Sequence, residues 1–271
     1  MSIAGLRSHW GFSRMPFGKD LAPSMLHRHP GHAEAVARIS WCVDEAAIGV
    51  ITGEVGAGKT VAVRAALADL DTSRHTVIYL GNPAIGSRGL YTTIVSHLGQ
   101  VPRFHRCSLV PQAQEALAAE AAERGRRVVL VVDEAHLLAP DQLEELRLLT
   151  NAEMDSVSPF ALVLAGQPLL RQRLRLGAFA ALDQRVALRY ALPPLSQPDT
   201  AGYIAHHLKL AGRGDTLFSD DAVARVHKAS RGLPRAVNNL AVQALIAAFA
   251  AGASIVDDKA ARAAVAEASS E

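Results

Sequence analysis

Residues 53–60 read Gly53-Glu54-Val55-Gly56-Ala57-Gly58-Lys59-Thr60, which is the complete pattern G-x-x-x-x-G-K-[ST]. The apolar run Ile48–Thr52 precedes it and predicts a buried strand, and the residues after Thr60 continue as a helix. Strand, glycine-rich loop and helix in this order are the context of a phosphate-binding loop. Its N–H groups can surround phosphate oxygens because glycine permits the tight turns. The stretch therefore predicts binding of a nucleoside triphosphate.

Each part of this stretch has a predicted role. Lys59 reaches the β- and γ-phosphates, and the Thr60 hydroxyl is a ligand of Mg²⁺. The other predicted contacts come from the loop and the first turn of the helix, at Gly53, Glu54, Val55, Gly56, Ala57, Gly58 and Val61. The alternative is a glycine-rich surface turn, which would not require a strand and a helix on its two sides.

The composition excludes several classes of protein. The chain has 271 residues, 49% of them hydrophobic and 20% charged, which is typical of a soluble protein with a sizeable core. The net charge of +2 gives no global electrostatic reason to bind nucleic acid. Cys42 and Cys107 form no metal or disulfide pattern, and the first 20 residues lack the apolar segment of a signal peptide. We therefore expect a cytoplasmic protein.

Strand-like and helical stretches alternate up to Pro193-Pro194, which predicts a parallel sheet with helices on both faces. Further strands are predicted at 76–80, 128–133, 160–165 and 186–192. Helices are predicted between them at 90–98, 112–123 and 141–150. Beyond residue 194 only helical patterns remain, at 199–210, 222–230, 234–251 and 257–268. The apolar stretch 240–256 contains Gln243 and Gly252 and is expected to be a buried helix, not a membrane span.

The organisation therefore has three predicted parts. An irregular N-terminal arm covers residues 1–30, an α/β nucleotide-binding domain covers 31–194, and a helical lid domain covers 195–271.

The strand predicted at 128–133 ends in Asp133-Glu134-Ala135-His136. An acidic residue at this strand end lies beside the phosphate loop in such an architecture. Asp133 would hold Mg²⁺ together with Thr60, and Glu134 would activate the water that attacks the γ-phosphate. The pair predicts an ATPase, because transfer to water would be wasteful in a kinase. The alternative is that the two acids cap the following helix.

These motifs together resemble the AAA+ ATPases, and among them the ExeA-like ATPases and the transposition-helper ATPases of the TniB/TnsC type. Besides the loop and the acidic pair, the resemblance rests on Phe12-x-x-x-Pro16-Phe17, His32 with Glu34-Ala35, Ala165-Gly166-Gln167-Pro168, Gln184-Arg185-Val186 and Gly232-Leu233-Pro234-Arg235. It implies a P-loop NTPase fold of the AAA+ type with a small all-helical lid. It also implies ATP and Mg²⁺ as ligands, and no guanine-reading Asn/Thr-Lys-x-Asp motif is present.

The same resemblance implies roles for further residues. Gln167 would be a sensor that orients the attacking water, or else a polar turn residue. Arg185 would be an arginine finger that reaches a neighbouring subunit's γ-phosphate, with Arg189 as a competitor and an ordinary ion-pair arginine as the alternative. Arg235 would be the second sensor, or else a solvated helix arginine. His32 is a candidate for a wall beside the adenine.

Two basic clusters remain, at 169–176 and 124–127. The arginines of the first are spaced two apart and fan out around a helix, so a solvated face is expected rather than a DNA-binding face. The second cluster is expected in the turn before a strand.

The resemblance leaves three functions open. The first expectation is an oligomeric helper that assembles through self-association as a ring or filament on double-stranded DNA and recruits a transposase. The second is an ATPase of secretion or envelope assembly, the role of ExeA-like proteins. Those proteins continue into a membrane segment and a cell-wall-binding domain, which the sequence does not show, so no membrane contact is expected. The third is a nucleotide-gated switch with little turnover.

Overall fold

The computed structural model describes residues 2–18, 20–151 and 158–269. These residues form two compact units. The first unit comprises Met1–His32, Glu54–Gly58 and Pro193–Glu271, and the second comprises Ala33–Gly53 and Lys59–Leu192.

The elements follow the order that the sequence predicts, with additions. The helices are α1 (Ile3–Trp10), α2 (Pro30–Asp44), α3 (Lys59–Ala68), α4 (Gly86–His97), α5 (Arg106–Ala122), α6 (Pro140–Leu149), α7 (Pro168–Leu174), α8 (Ala180–Arg185), α9 (Gln197–Leu210), α10 (Asp220–Ser230), α11 (Pro234–Ala250) and α12 (Asp258–Ser269). The strands are β1 (Ile48–Thr52), β2 (His75–Leu80), β3 (Arg127–Val132), β4 (Phe160–Gly166) and β5 (Val186–Ala191).

The second unit contains one five-stranded sheet in the order β2-β3-β4-β1-β5. Every neighbouring pair is parallel, so the predicted parallel α/β architecture is confirmed. Strands β1, β3 and β4 lie inside the sheet and are buried almost throughout. Burial on both faces explains why these strands are continuous apolar runs without alternation.

Helices α4, α5 and α6 share a hydrophobic core with this sheet. Leu90 and Ile94 of α4, Leu117 of α5 and Leu146 of α6 are fully or almost fully buried in it. Helix α5 begins at Arg106, earlier than the predicted residue 112, and Pro111 lies inside the helix.

The first unit is helical and has its own core. The arm was predicted to be irregular, but it contains α1, which begins after the Ser2 cap and ends at Gly11 with φ 66°. Phe12 and Phe17 of the arm motif are buried in the core beside residues of α9 to α12. None of the helices in the described ranges is both long enough and apolar enough to cross a membrane.

The turn between α10 and α11 depends on a glycine. Gly232 has φ 70°, and a Cβ at this position would lie 2.1 Å from the carbonyl oxygen of Leu195. The Leu195 amide also donates to the Gly232 carbonyl oxygen at 2.8 Å. Any side chain at position 232 would therefore clash with the main chain of Leu195, to which the turn is hydrogen-bonded. This clash explains the glycine in Gly232-Leu233-Pro234-Arg235.

Candidate nucleotide site

The strands β3, β4 and β1 are parallel and consecutive in the sheet, so their carboxyl ends lie side by side at one edge. At this edge the Gly53 amide donates to the Gly166 carbonyl oxygen at 3.2 Å. Lys59 is only 6% exposed, and its Nζ donates to the Gly53 carbonyl oxygen at 2.9 Å. The ammonium group that the sequence assigns to phosphate binding is thus held at the base of the loop.

Thr60 and Asp133 are far apart in the sequence but touch in the structure. The Thr60 hydroxyl donates to Asp133 Oδ2 at 2.6 Å, and the Asp133 side chain is 4% exposed. Mg²⁺ prefers oxygen ligands and is commonly held by one or two protein oxygens together with substrate phosphates. The hydroxyl and the carboxylate fit such an ion. The described residues contain no cluster of three or more His, Cys, Asp or Glu suited to a metal.

Tyr79, for which no sequence pattern predicts a role, also binds this carboxylate. Its hydroxyl donates to Asp133 Oδ2 at 2.9 Å from the carboxyl end of β2. Burial raises the pKa of Tyr79 to about 12, and the negative charge of Asp133 acts in the same direction. The phenol therefore stays a hydrogen-bond donor at neutral pH. Only the order of the strands, with β2 beside β3, reveals this contact.

Glu134 has an unusual backbone. Its φ is 50° and its ψ is 34°, which is the left-handed region that residues other than glycine seldom adopt. Its side chain is 45% exposed and makes no capping bond to the 3₁₀ turn Ala135–Leu137, so the capping alternative is not observed for this residue. Strain of this kind is typical of functional sites.

His136 lies between Glu134 and Gln167. Its Nδ1 is 3.4 Å from Glu134 Oε2 and 3.5 Å from the main-chain nitrogen of Gln167. Donating a hydrogen bond to Glu134 requires a proton on Nδ1, whereas accepting from Gln167 requires that Nδ1 carry none. The two contacts therefore exclude each other, and the tautomer of His136 selects between them.

The basic stretch 169–176 is partly structural. Arg173 donates to the carbonyl oxygens of His136 and Leu138 at 2.6 and 2.7 Å, which fixes the turn after the acidic pair. Arg171 and Arg175 are exposed. In the second cluster Arg127 begins β3, as expected for a turn leading into a strand.

Arg185 is the last residue of α8, directly before the edge strand β5. Its guanidinium donates to the Thr150 hydroxyl at 3.4 Å. The competing Arg189 forms an ion pair with Asp183 at 2.9 Å and also donates to the Val186 carbonyl oxygen.

In the first unit, Arg235 lies against the phosphate loop. Its main-chain amide donates to the Gly56 carbonyl oxygen at 3.2 Å. Gly56 has φ 81°, and a Cβ there would lie 2.8 Å from the Cβ of Arg235. The general phosphate-loop pattern leaves position 56 free, so this contact explains a glycine that the pattern does not require. His32 is buried with its ring 6.0 Å from that of His29, and its place beside adenine stays a prediction.

Comparison with known proteins agrees with this geometry. Residues 43–174 match the family model described as an AAA domain. The chain is 38% identical to general secretion pathway protein A of Aeromonas hydrophila. The matched region has 247 residues, which is 90% of this chain. The chain spans 45% of the length of that relative.

Solved structures share the fold at low sequence identity. The structure of Drosophila ORC bound to DNA has a TM-score of 0.69 at 18% identity, covering 98% of this chain and 67% of that one. The ADP form of Aeropyrum pernix ORC2 has a TM-score of 0.68 at 17% identity, covering 93% and 71%. The predicted P-loop fold of the AAA+ type is confirmed, and residues 43–174 match an AAA domain.

Proposed function

We propose that this chain binds ATP with Mg²⁺ and hydrolyses it to ADP and phosphate. The observation that carries the proposal is the contact between Thr60 and Asp133 at 2.6 Å beside the buried Lys59. A hydroxyl and a carboxylate that meet at the end of the loop form the oxygen pair required for a nucleotide-bound magnesium ion.

Each residue of the site has its own role in this proposal. Loop amides and Lys59 bind the phosphates, and Lys59 exchanges its bond to Gly53 for phosphate oxygens. When bound, Mg²⁺ supplies positive charge at the β- and γ-phosphates. Glu134 accepts a proton from the attacking water or orients it, and Gln167 holds that water in place. The exposed Glu134 carboxylate supports this assignment, as does Gln167, which shares the neighbour His136 with it.

Arg185 acts on the site of a neighbouring subunit in this proposal. Its position at the edge of the sheet supports the role, and Arg189 is less suited because Asp183 already binds it. Hydrolysis then requires self-association into a ring or filament. Arg235 serves as the second sensor, supported by its contact with Gly56.

The nucleotide site is tested with Lys59→Ala. Wild type should gain thermal stability from ATP and Mg²⁺ through mass action, and the variant should lose this gain. An equal gain in both proteins contradicts the placement of the loop. An exposed-arginine control, Arg64→Gln on α3, should keep the gain.

The trans role of Arg185 is tested by mixing. Arg185→Ala and Glu134→Gln should each be nearly inactive, whereas their mixture should regain part of the turnover. Such rescue requires that a finger and a base from different chains meet in one site. A mixture as inactive as its components refutes the trans assignment.

We further propose that the ATP state controls assembly on double-stranded DNA and recruitment of a transposase in the cytoplasm. The shared fold with ORC in a structure bound to DNA supports the DNA part. A gel-shift assay with duplex DNA should show ATP-dependent complexes, and their absence in every nucleotide state excludes this function.

The second candidate is a role in secretion or envelope assembly. The identity of 38% to general secretion pathway protein A favours it. It predicts that the protein co-fractionates with the inner membrane through a partner and that it binds no DNA. The third candidate, a switch, predicts ATP binding with turnover near zero in wild type and Glu134→Gln alike.

A further inference from the structure

One part of the second unit has no acidic residue. Residues 72–114 contain no Asp and no Glu, although the chain has 26 of them. The same segment contains Arg74, Arg88, Arg103 and Arg106, with His75, His97 and His105. A chain of net charge +2 thus concentrates positive charge in one segment. Arg74 lies before β2, whereas Arg88 lies on α4, Arg103 in the loop that follows it, and Arg106 at the start of α5.

The α4–α5 loop, residues 98–105, is held in a fixed conformation. The side chain of Gln112 is 8% exposed and lies beneath the loop. Its Oε1 accepts from the Arg103 amide at 2.9 Å, and its Nε2 donates to the Val101 carbonyl oxygen at 3.0 Å. The loop is therefore shaped by internal bonds, and the side chains that it exposes are presented in a defined arrangement.

The loop exposes apolar side chains that folding would normally bury. Val101 is 87% exposed and Phe104 is 73% exposed, higher than any other large hydrophobic side chain in the described ranges. The guanidinium of Arg88 lies over the Phe104 ring at 4.8 Å from its centroid. The loop and the first turn of α4 thus expose cations and apolar groups beside each other, with the exposed carboxylate of Asp141 bonded to Ser87 in the same turn.

The arginines of this surface differ in their partners. Arg106 forms an ion pair with the buried Glu145, so its charge is largely offset. Arg88 and Arg103 are exposed, and neither takes part in an ion pair among the described residues. Two guanidinium groups therefore remain for an external anion.

We propose that this surface binds the phosphate backbone of double-stranded DNA, with Arg88 and Arg103 on phosphates and Val101 and Phe104 against the groove. The proposal rests on the proposed DNA function and names the surface that serves it. Guanidinium groups match phosphate geometry, and an apolar side chain beside them can enter a groove. A membrane surface fits less well, because binding there relies on a broad apolar face. Here the apolar part is two side chains, and Arg88 covers one face of Phe104.

The test compares two double variants with the same change of charge. The loop pair is Arg88→Gln with Arg103→Gln. The control pair is Arg171→Gln with Arg175→Gln, which removes the two exposed arginines of the competing basic stretch. Binding to duplex DNA, to single-stranded DNA and to vesicles of phosphatidylserine and phosphatidylcholine is measured with ATP over a range of salt. The thermal unfolding midpoint of each protein reports whether it is folded.

The loop pair should bind duplex DNA at least about tenfold more weakly, and the slope of log K against log salt should fall by about two. The control pair should bind as wild type does. If the control pair loses binding and the loop pair does not, the surface is wrong while the DNA function stands.

Two further results overturn the proposal. Loss of vesicle binding by the loop pair with unchanged duplex binding makes the surface a membrane contact. A Phe104→Ala variant that weakens single-stranded binding but not duplex binding makes it a stacking site for unpaired bases. Absence of DNA binding by wild type in every nucleotide state refutes the DNA function itself.

Discussion

The turn between α10 and α11 and the end of β3 both use the left-handed region of backbone conformation. In the turn Arg231 has φ 53°, and Gly232 has φ 70° and no room for a Cβ. At the end of β3 it is Glu134, with φ 50° and a complete side chain. Gly232 meets a packing demand at little conformational cost, whereas Glu134 adopts the same region with a complete side chain and at a cost in strain. In the proposed mechanism, that strain keeps a carboxylate at the end of β3.

The largest expected effect is that of Gly232→Ala. The added Cβ would lie 2.1 Å from the Leu195 carbonyl oxygen, so the turn must move. We expect the free energy of unfolding to fall by about 3–5 kcal/mol, the sum of left-handed strain and overpacking. Urea unfolding measures this. Gly252→Ala is the matched control, since Gly252 has φ 66° and nothing within 4 Å of the added Cβ, and it should cost only about 1 kcal/mol. Equal costs would show that packing does not constrain the turn.

The second largest effect is expected on ATP turnover, from a substitution of Glu134 at the end of β3. Glu134→Gln keeps the shape of the side chain and removes the proton acceptor, so turnover should fall at least about a hundredfold, or about 2.7 kcal/mol. ATP affinity should be retained, as phosphate-release and binding assays would show. Glu144→Gln on α6 is the control, an exposed glutamate that forms an ion pair with Arg147. Comparable turnover in the two variants would remove Glu134 from the mechanism.

A smaller effect is expected from Tyr79→Phe, which removes one hydrogen bond to Asp133 Oδ2. The loss should lower the free energy of unfolding by about 1 kcal/mol and raise the Mg²⁺ concentration needed for half-maximal ATP binding. Thr60 still holds the carboxylate in the variant, so the effect is partial. The prediction fails if both quantities match those of wild type.

The smallest effect isolates the strain at Glu134. Glu134→Asn and Glu134→Gln both replace the carboxylate with an amide, but asparagine adopts the left-handed region more readily. The asparagine variant should be the more stable of the two by roughly 0.5–1 kcal/mol in urea unfolding. Equal stability would mean that the backbone at this position is not strained.

The sequence predicted the sheet well because its inner strands are buried on both faces. Runs such as Val128–Val132 are β-branched and uninterrupted, and the structure places them inside the sheet. Helix α1 escaped prediction because its sequence, Ile3–Trp10, contains glycine, serine and histidine. It folds as a helix within a unit whose core buries Leu6 and Trp10, which local propensity does not show.

The residues of the candidate site that belong to a motif of fixed sequence spacing could be predicted. The contacts between residues far apart in the sequence could not. The loop and the acidic pair follow from patterns in the sequence. Tyr79 reaches Asp133 because β2 lies beside β3, and His136 reaches Gln167 because β3 lies beside β4. Strand order is a property of the whole sheet, so no local pattern shows these contacts.

The bond between the Arg235 amide and the Gly56 carbonyl oxygen couples any tilt of α11 to the position of the phosphate loop. The bond is between main-chain groups, so it does not require the guanidinium of Arg235, whereas a Cβ at position 56 would clash with Arg235. Helix α11 has 17 residues and its first turn carries the bond. At 1.5 Å per residue, a tilt of about 5° about its far end moves that turn by roughly 2 Å, more than a hydrogen bond tolerates. The loop residue must therefore move with the helix or release it.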